Sequence, residues 1–202
     1  MINRRQRSLR AAFALIGGLA IAGCGSARYP AHYVLNFEPP AHAAAPGPSI
    51  GTLAVRELRC PDYLCEGRIA YRPTPNEVGF YQYHRWAVSP GAMIANYLAE
   101  RVRARSLFVS VSGGESRTAT DFVLNGTIER FEEVDDDRGV AAVCTISTQL
   151  VDSRTGSVVW SGTTTERIAV DQRDVAGVVN GLAMAVRSSV DRLVGEMERQ
   201  VR

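Results

Sequence analysis

Apolar and polar positions alternate most regularly in the second half of the chain. Over Asp121 to Phe131, the residues Phe122, Leu124 and Ile128 alternate with Asn125, Thr127 and Glu129, the two-residue period of a strand with one buried face. Over Val140 to Val151, Ala142, Cys144, Ile146 and Leu150 fall on one side, so Cys144 reads as a small buried hydrophobe. Asp152-Ser153-Arg154-Thr155-Gly156 interrupts the pattern as a hairpin loop before a third strand, Ser157 to Val170. From about Asp174 to Arg199 the period becomes helical, with Val175, Val178, Val179, Leu182, Val186, Val190, Leu193, Val194 and Met197 in one stripe. At 1.5 Å per residue this helix is about 39 Å long, enough to cross a whole sheet. It reads as a core-facing helix, with a partner-binding amphipathic helix as the alternative.

The first half is less regular. Tyr33-Val34-Leu35 within Ala31 to Phe37 predicts a short strand, and the Pro- and Ala-rich Glu38 to Ser49 an exposed loop. Ile50 to Leu58 is strand-like. Arg68 to Arg72 and Glu77 to Tyr83 suggest a strand pair across Pro73-Thr74-Pro75-Asn76. Ser89-Pro90 opens a helix, Ser as N-cap and Pro in the first turn, with Met93, Ile94, Tyr97, Leu98 and Val102 at helical spacing. Leu107 to Val111 is a short strand closed by Ser112-Gly113-Gly114. The pattern predicts an α+β fold: a mixed, mainly antiparallel sheet with two principal helices packed on one face. No internal repeat and no second domain is visible.

The N-terminus has a different character. Residues 1–10 are cationic, and Ala11 to Ala22 are apolar or small, the n-region and h-region of a secretory leader. That apolar stretch is too short to span a hydrocarbon core of about 30 Å comfortably. Ile21-Ala22-Gly23-Cys24 then resembles the lipobox of bacterial lipoproteins. The division this implies is a signal peptide over residues 1–23 and a single periplasmic domain over 24–202, lipid-anchored at Cys24. A thiolate is a natural nucleophile for alkylation, and two or three acyl chains at about 0.8 kcal/mol per buried CH₂ anchor where one would not. Neither Gly25 nor Ser26 is the aspartate that retains enteric lipoproteins in the inner membrane, so the expected location is the periplasmic face of the outer membrane. Arg4-Arg5 hints at twin-arginine export, but Gln6-Arg7-Ser8 departs from that pattern.

Charge narrows the partners. The formal net charge is +2, yet Arg4, Arg5, Arg7 and Arg10 lie in the leader; without them 19 basic residues face 21 acidic ones. That balance argues against nucleic acid, which calls for a basic stripe. Every basic residue is arginine, a mark of a high-GC genome rather than of chemistry.

Candidate chemistry is sparse. Cys60-Pro61-Asp62-Tyr63-Leu64-Cys65 places two cysteines around a turn-prone Pro-Asp, a candidate disulfide in an oxidising compartment. A metal site is the weaker alternative, since no histidine or second cysteine pair lies nearby. His32, His42 and His84 are scattered, and no nucleophile elbow, zinc-protease motif or phosphate loop is present, so no catalytic residue, metal or cofactor is expected beyond the lipid on Cys24. Glu132-Glu133 with Asp135-Asp136-Asp137 lacks the calcium-loop spacing and reads as a solvated hairpin tip. Asn125-Gly126-Thr127 has the form of a glycosylation acceptor but lies in a strand. The aromatic set Tyr71, Phe80, Tyr81, Tyr83 and Trp86 reads first as core. Alternation puts Tyr81 and Tyr83 opposite Phe80 and Gln82, however, so some of these residues are candidates for a partner or lipid contact.

The order of these elements resembles the ABC-type transport auxiliary lipoproteins, the family that includes the PqiC subunit. The residues that carry it are the lipobox, Tyr33-Val34-Leu35, Pro61-Asp62-Tyr63-Leu64, Arg68 to Arg72, Glu77 to Tyr83, His84-Arg85-Trp86-Ala87, Leu98-Ala99-Glu100, the Leu150-Val151-Asp152 to Thr155-Gly156 hairpin and Val159-Trp160. Arg85-Trp86 is the most specific piece and joins Tyr81 and Tyr83 as candidate contacts. Cys60 and Cys65 depart from the family pattern. The resemblance implies a docking role beside a mammalian-cell-entry (MCE) protein and an inner-membrane ABC permease and ATPase, moving lipids or other hydrophobic molecules, with a homo-oligomeric ring as one form. The other readings are a module that binds lipid itself and an activator or assembly factor for cell-wall or outer-membrane machinery.

Overall fold

The computed structural model describes residues 28–39, 48–114, 119–172 and 174–202. The leader, Cys24, His42 and most of the Glu38 to Ser49 loop lie outside the described residues.

The strands are β1 (Ala31–Tyr33), β2 (Ile50–Val55), β3 (Arg68–Thr74), β4 (Glu77–Trp86), β5 (Phe108–Gly113), β6 (Phe122–Asp136), β7 (Gly139–Asp152) and β8 (Val158–Ala169). The helices are α1 (Asp62–Cys65), α2 (Pro90–Ala104) and α3 (Val175–Val201). All eight strands join one sheet, in which the two longest ladders, β6–β7 and β7–β8, are antiparallel. The fold is thus the mixed α+β arrangement that the hydrophobic pattern predicts. Ser89 caps α2 by accepting from the Ala92 amide at 3.1 Å, and Pro90 follows at the first turn. Asp174 caps α3 through the Gly177 amide at 2.7 Å. Both helices bury one stripe against the sheet, where Leu53, Ile94, Ile146, Leu150, Leu182 and Leu193 form the middle of the core. A Cβ on Gly181 would stand 2.8 Å from the Ala142 methyl, so α3 approaches β7 as closely as glycine allows.

The centre of the sheet is β6, whose one edge serves two strands. Leu53 to Val55 pair with Phe122 to Leu124, and Ala70 to Arg72 pair with Glu132 to Val134, both in parallel. Between them Arg59 keeps contact: its amide donates to the Gly126 carbonyl at 3.0 Å and its carbonyl accepts from the Ile128 amide at 2.7 Å. The pairing offset is 68 at Arg59 opposite Thr127 and 62 at Ala70 opposite Glu132. The difference of six residues is the length of the excursion from Cys60 to Cys65. Those two cysteines are joined as a disulfide, Cα atoms 5.9 Å apart, which pinches the excursion at its base. Inside it, Leu64 is driven into the core.

Several boundaries differ from those the sequence predicts. The first strand ends at Tyr33 rather than Phe37, because the chain leaves β4 to cross α2: the Leu35 amide meets Met93 Sδ at 3.4 Å and Phe37 stacks on Tyr97 at 4.0 Å. The β3–β4 turn tightens to Pro75-Asn76. β6 runs on to Asp136, so the acidic run is not a hairpin tip; the turn is Asp137-Arg138, completed by Gly139 at φ +90°.

Candidate functional site

Two surfaces concentrate polar and aromatic chemistry. The first is the sheet face away from the helices. Ala142 meets Gly181 of α3, so its neighbour Val143 points the other way, together with its cross-strand partners Glu132 and Arg167. Glu132 is fully buried there. Arg72 grips it with two bonds, Nε to Oε1 at 2.8 Å and Nη2 to Oε2 at 3.0 Å, and Arg130 donates from Nε to Oε1 at 2.9 Å. The Arg72 guanidinium is held above its usual pKa, first by the hydrogen bond it donates to Glu132, against the opposing effect of burial. Arg72 also donates to the Pro75 carbonyl at 3.1 Å and to the Tyr63 hydroxyl at 3.5 Å, tying the disulfide-pinched excursion to the sheet.

Above this floor lies an open recess of about 810 Å³, lined among others by Tyr63, Arg72, Arg130, Asp136, Arg138 and Arg167. Asp136 accepts from Arg167 at 2.8 Å and from Arg138 at 3.1 Å, and these bonds, Arg138 first, hold its carboxyl below the usual range. The recess therefore presents paired charges of both signs. Tyr63, Pro73, Pro75 and Val134 add apolar surface between these pairs.

The second surface is the β1–β4 edge, where the aromatic candidates lie. Rings run from Tyr33 to His84 (centroids 5.6 Å), from His84 to Tyr81 (5.9 Å) and from Tyr81 to Tyr71 (5.2 Å). The Tyr33 hydroxyl and His84 Nδ1 are 2.9 Å apart. Tyr81 donates to Glu133, and burial first, then that bond, raises its phenol well above the usual value. Arg85 spends one nitrogen on the Tyr81 and His84 carbonyls at 3.1 and 3.2 Å. Tyr83 stands out from the edge, with the Arg28 guanidinium 5.9 Å above its ring. Trp86 corrects the sequence reading: it is only 5% exposed, packed 5.3 Å from Phe131, and so is a core residue rather than a surface contact.

Cys144 is fully buried, and burial pushes its thiol up to about 12, so it stays a protonated, inert core residue. Among the described residues no group of three or more His, Cys, Asp or Glu is arranged to hold a metal, and no helix is long and apolar enough to cross a membrane. The sequence reading places Glu132 in a solvated hairpin tip and singles out neither Arg72 nor Arg130, whereas Glu132 is buried between them. The available signal was Arg130 and Glu132 two apart on one strand, opposite charges on the same face.

With this geometry in hand, comparison with known proteins is decisive at one point. The family described as the ABC-type transport auxiliary lipoprotein component matches residues 33–194. The chain belongs to that family. It is a family of transport auxiliary lipoproteins, not of enzymes, and its members are envelope proteins anchored to a membrane. Among solved structures, a protein from Xanthomonas campestris shares the fold at TM-score 0.71 and 23% identity, with 84% of this chain and 96% of that one covered. A further uncharacterised protein aligns at TM-score 0.65 and 18% identity, over 84% and 99% of the two chains. A PelC dodecamer from Paraburkholderia phytofirmans aligns at TM-score 0.49 and 20% identity, over 77% and 93%. A search of curated proteins finds no match.

Proposed function

We propose that this auxiliary lipoprotein is anchored through lipid on Cys24 to the periplasmic face of the outer membrane. There it docks an MCE-type ABC transport system that moves lipids or other hydrophobic molecules across the periplasm. The observation that carries the reading is the family match over residues 33–194, preceded by Ile21-Ala22-Gly23-Cys24. Two features favour docking over carriage of a lipid by the domain itself. The stripe of α3 is spent on the core, and the 810 Å³ recess is open to solvent and bordered by Arg–Asp pairs, whereas a lipid carrier needs an enclosed apolar cavity. In this reading the domain is a rigid adaptor with no catalytic step: the anchor fixes it to one membrane, and its surface meets the MCE protein coming from the other.

Affinity purification of the full-length lipoprotein from its own envelope, with mass spectrometry of bound proteins and lipids, tests this. An MCE subunit together with an ABC permease or ATPase is the expected catch. Cell-wall synthases or outer-membrane assembly factors in their place would overturn the transport reading.

A further inference from the structure

Eight large hydrophobic side chains are exposed among the described residues, and four of them flank a single three-residue strand: Tyr29, Val34, Tyr83 and Val88. Tyr29 and Val34 lie on either side of β1 in the chain. Tyr83 precedes His84, the partner of Ala31, and Val88 follows Ala87, whose amide donates to the Tyr33 carbonyl at 2.8 Å. Tyr29 is 88% exposed, and Tyr83 is 37% exposed beneath the Arg28 guanidinium. β1 is pinned to β4 by three register pairs, so this patch belongs to the rigid body of the sheet. Its place in the chain says what faces it. Arg28 follows Cys24 by only four residues, a tether of at most about 14 Å fully extended. A lipid on Cys24 therefore holds this edge of the sheet close to the bilayer.

We infer that the β1–β4 edge is a membrane-seating surface, with Tyr29, Tyr83, Val34 and Val88 at the headgroup level and Arg28 facing lipid phosphates. The inference rests on the Cys24 anchor of the proposed function. The chemistry fits: tyrosine presents an apolar ring and a polar tip, the combination enriched where hydrocarbon gives way to water. Arginine over such a ring keeps its cation–π contact while meeting phosphate. Seating also orients the domain, since β8 is the opposite edge of the sheet and is turned away from the lipid.

The test uses the full-length protein purified from its own envelope and reconstituted into vesicles of phosphatidylethanolamine and phosphatidylglycerol, with or without brominated chains. Tyr29→Trp and Tyr83→Trp place a fluorophore at the patch, and Val158→Trp places one on exposed β8; all three sites are exposed, so the fold tolerates them, and the native Trp86 and Trp160 are buried. Brominated lipid should quench the emission added by the first two several-fold more strongly than that added by Val158→Trp. Intact mass of the same samples reports acylation. An acylated chain with equal quenching at all three sites overturns the seating and leaves the anchor standing. A chain without acyl mass overturns both.

Discussion

The two faces of the β6–β7 ladder are equally dry at their centre and are kept dry by different means. On the helix side Phe131, Cys144, Ile146 and Leu150 are buried in the common core, and burial of apolar area does the work. On the other side no principal helix of the described residues covers the sheet. There Glu132 is as inaccessible as Cys144, covered by the arginine side chains it neutralises. Long guanidinium stems shield the sheet while their heads pair with the carboxylate. A face built on area tolerates loss in proportion to volume, whereas a face built on pairing fails when one partner goes.

That contrast sets the size of the expected effects. Glu132→Leu leaves two arginines without their carboxylate and should cost about 4 kcal/mol in chemical denaturation. Leu182→Ala, at a fully buried position of α3, opens a cavity and should cost about 3 kcal/mol by the same measurement. Replacing Cys60 and Cys65 together by Ala frees the excursion and should lower stability by about 2 kcal/mol. Hydrogen exchange should then quicken at Arg59 and Ala70, where the chain leaves and rejoins β6. Gly181→Ala forces a methyl against Ala142 but gains helix propensity, for a net loss of about 1 kcal/mol. Arg138→Ala, which removes a solvent-exposed partner of Asp136, should leave the unfolding midpoint where it is.

How far each face could be read in the sequence follows from the same contrast. The apolar side announces itself by period: Ala142, Cys144, Ile146 and Leu150 two or four apart, and the α3 stripe, lead directly to the helix-covered sheet. Ser89-Pro90 marks the start of α2 because capping is a local interaction. The charged side does not announce itself. Glu132 sits in a run that looks like a solvated turn, and the guanidinium that buries it is Arg72, sixty residues earlier and on a strand that reaches β6 only because Cys60 to Cys65 is looped out. Trp86 was misplaced for a related reason. It joins the candidate contacts through the resemblance of Arg85-Trp86 to the family, whereas its burial against Phe131 depends on a register with β3 that slips between Arg68 and Ala70. The patch around Tyr29 and Tyr83 depends on β1 pairing in parallel with β4, a contact across some fifty residues that no local pattern reveals.

The claim that pairing, not area, keeps the second face dry is tested most directly by removing the whole network at once. Glu132→Leu alone would be compared with the triple variant Glu132→Leu, Arg72→Met, Arg130→Met in urea denaturation. The account predicts that the triple variant recovers most of the stability lost by the single one, because apolar side chains of similar volume then share the face without an unpaired charge. A triple variant as unstable as the single, or more so, would contradict it and would mean that the arginines hold this face by contacts other than those with Glu132.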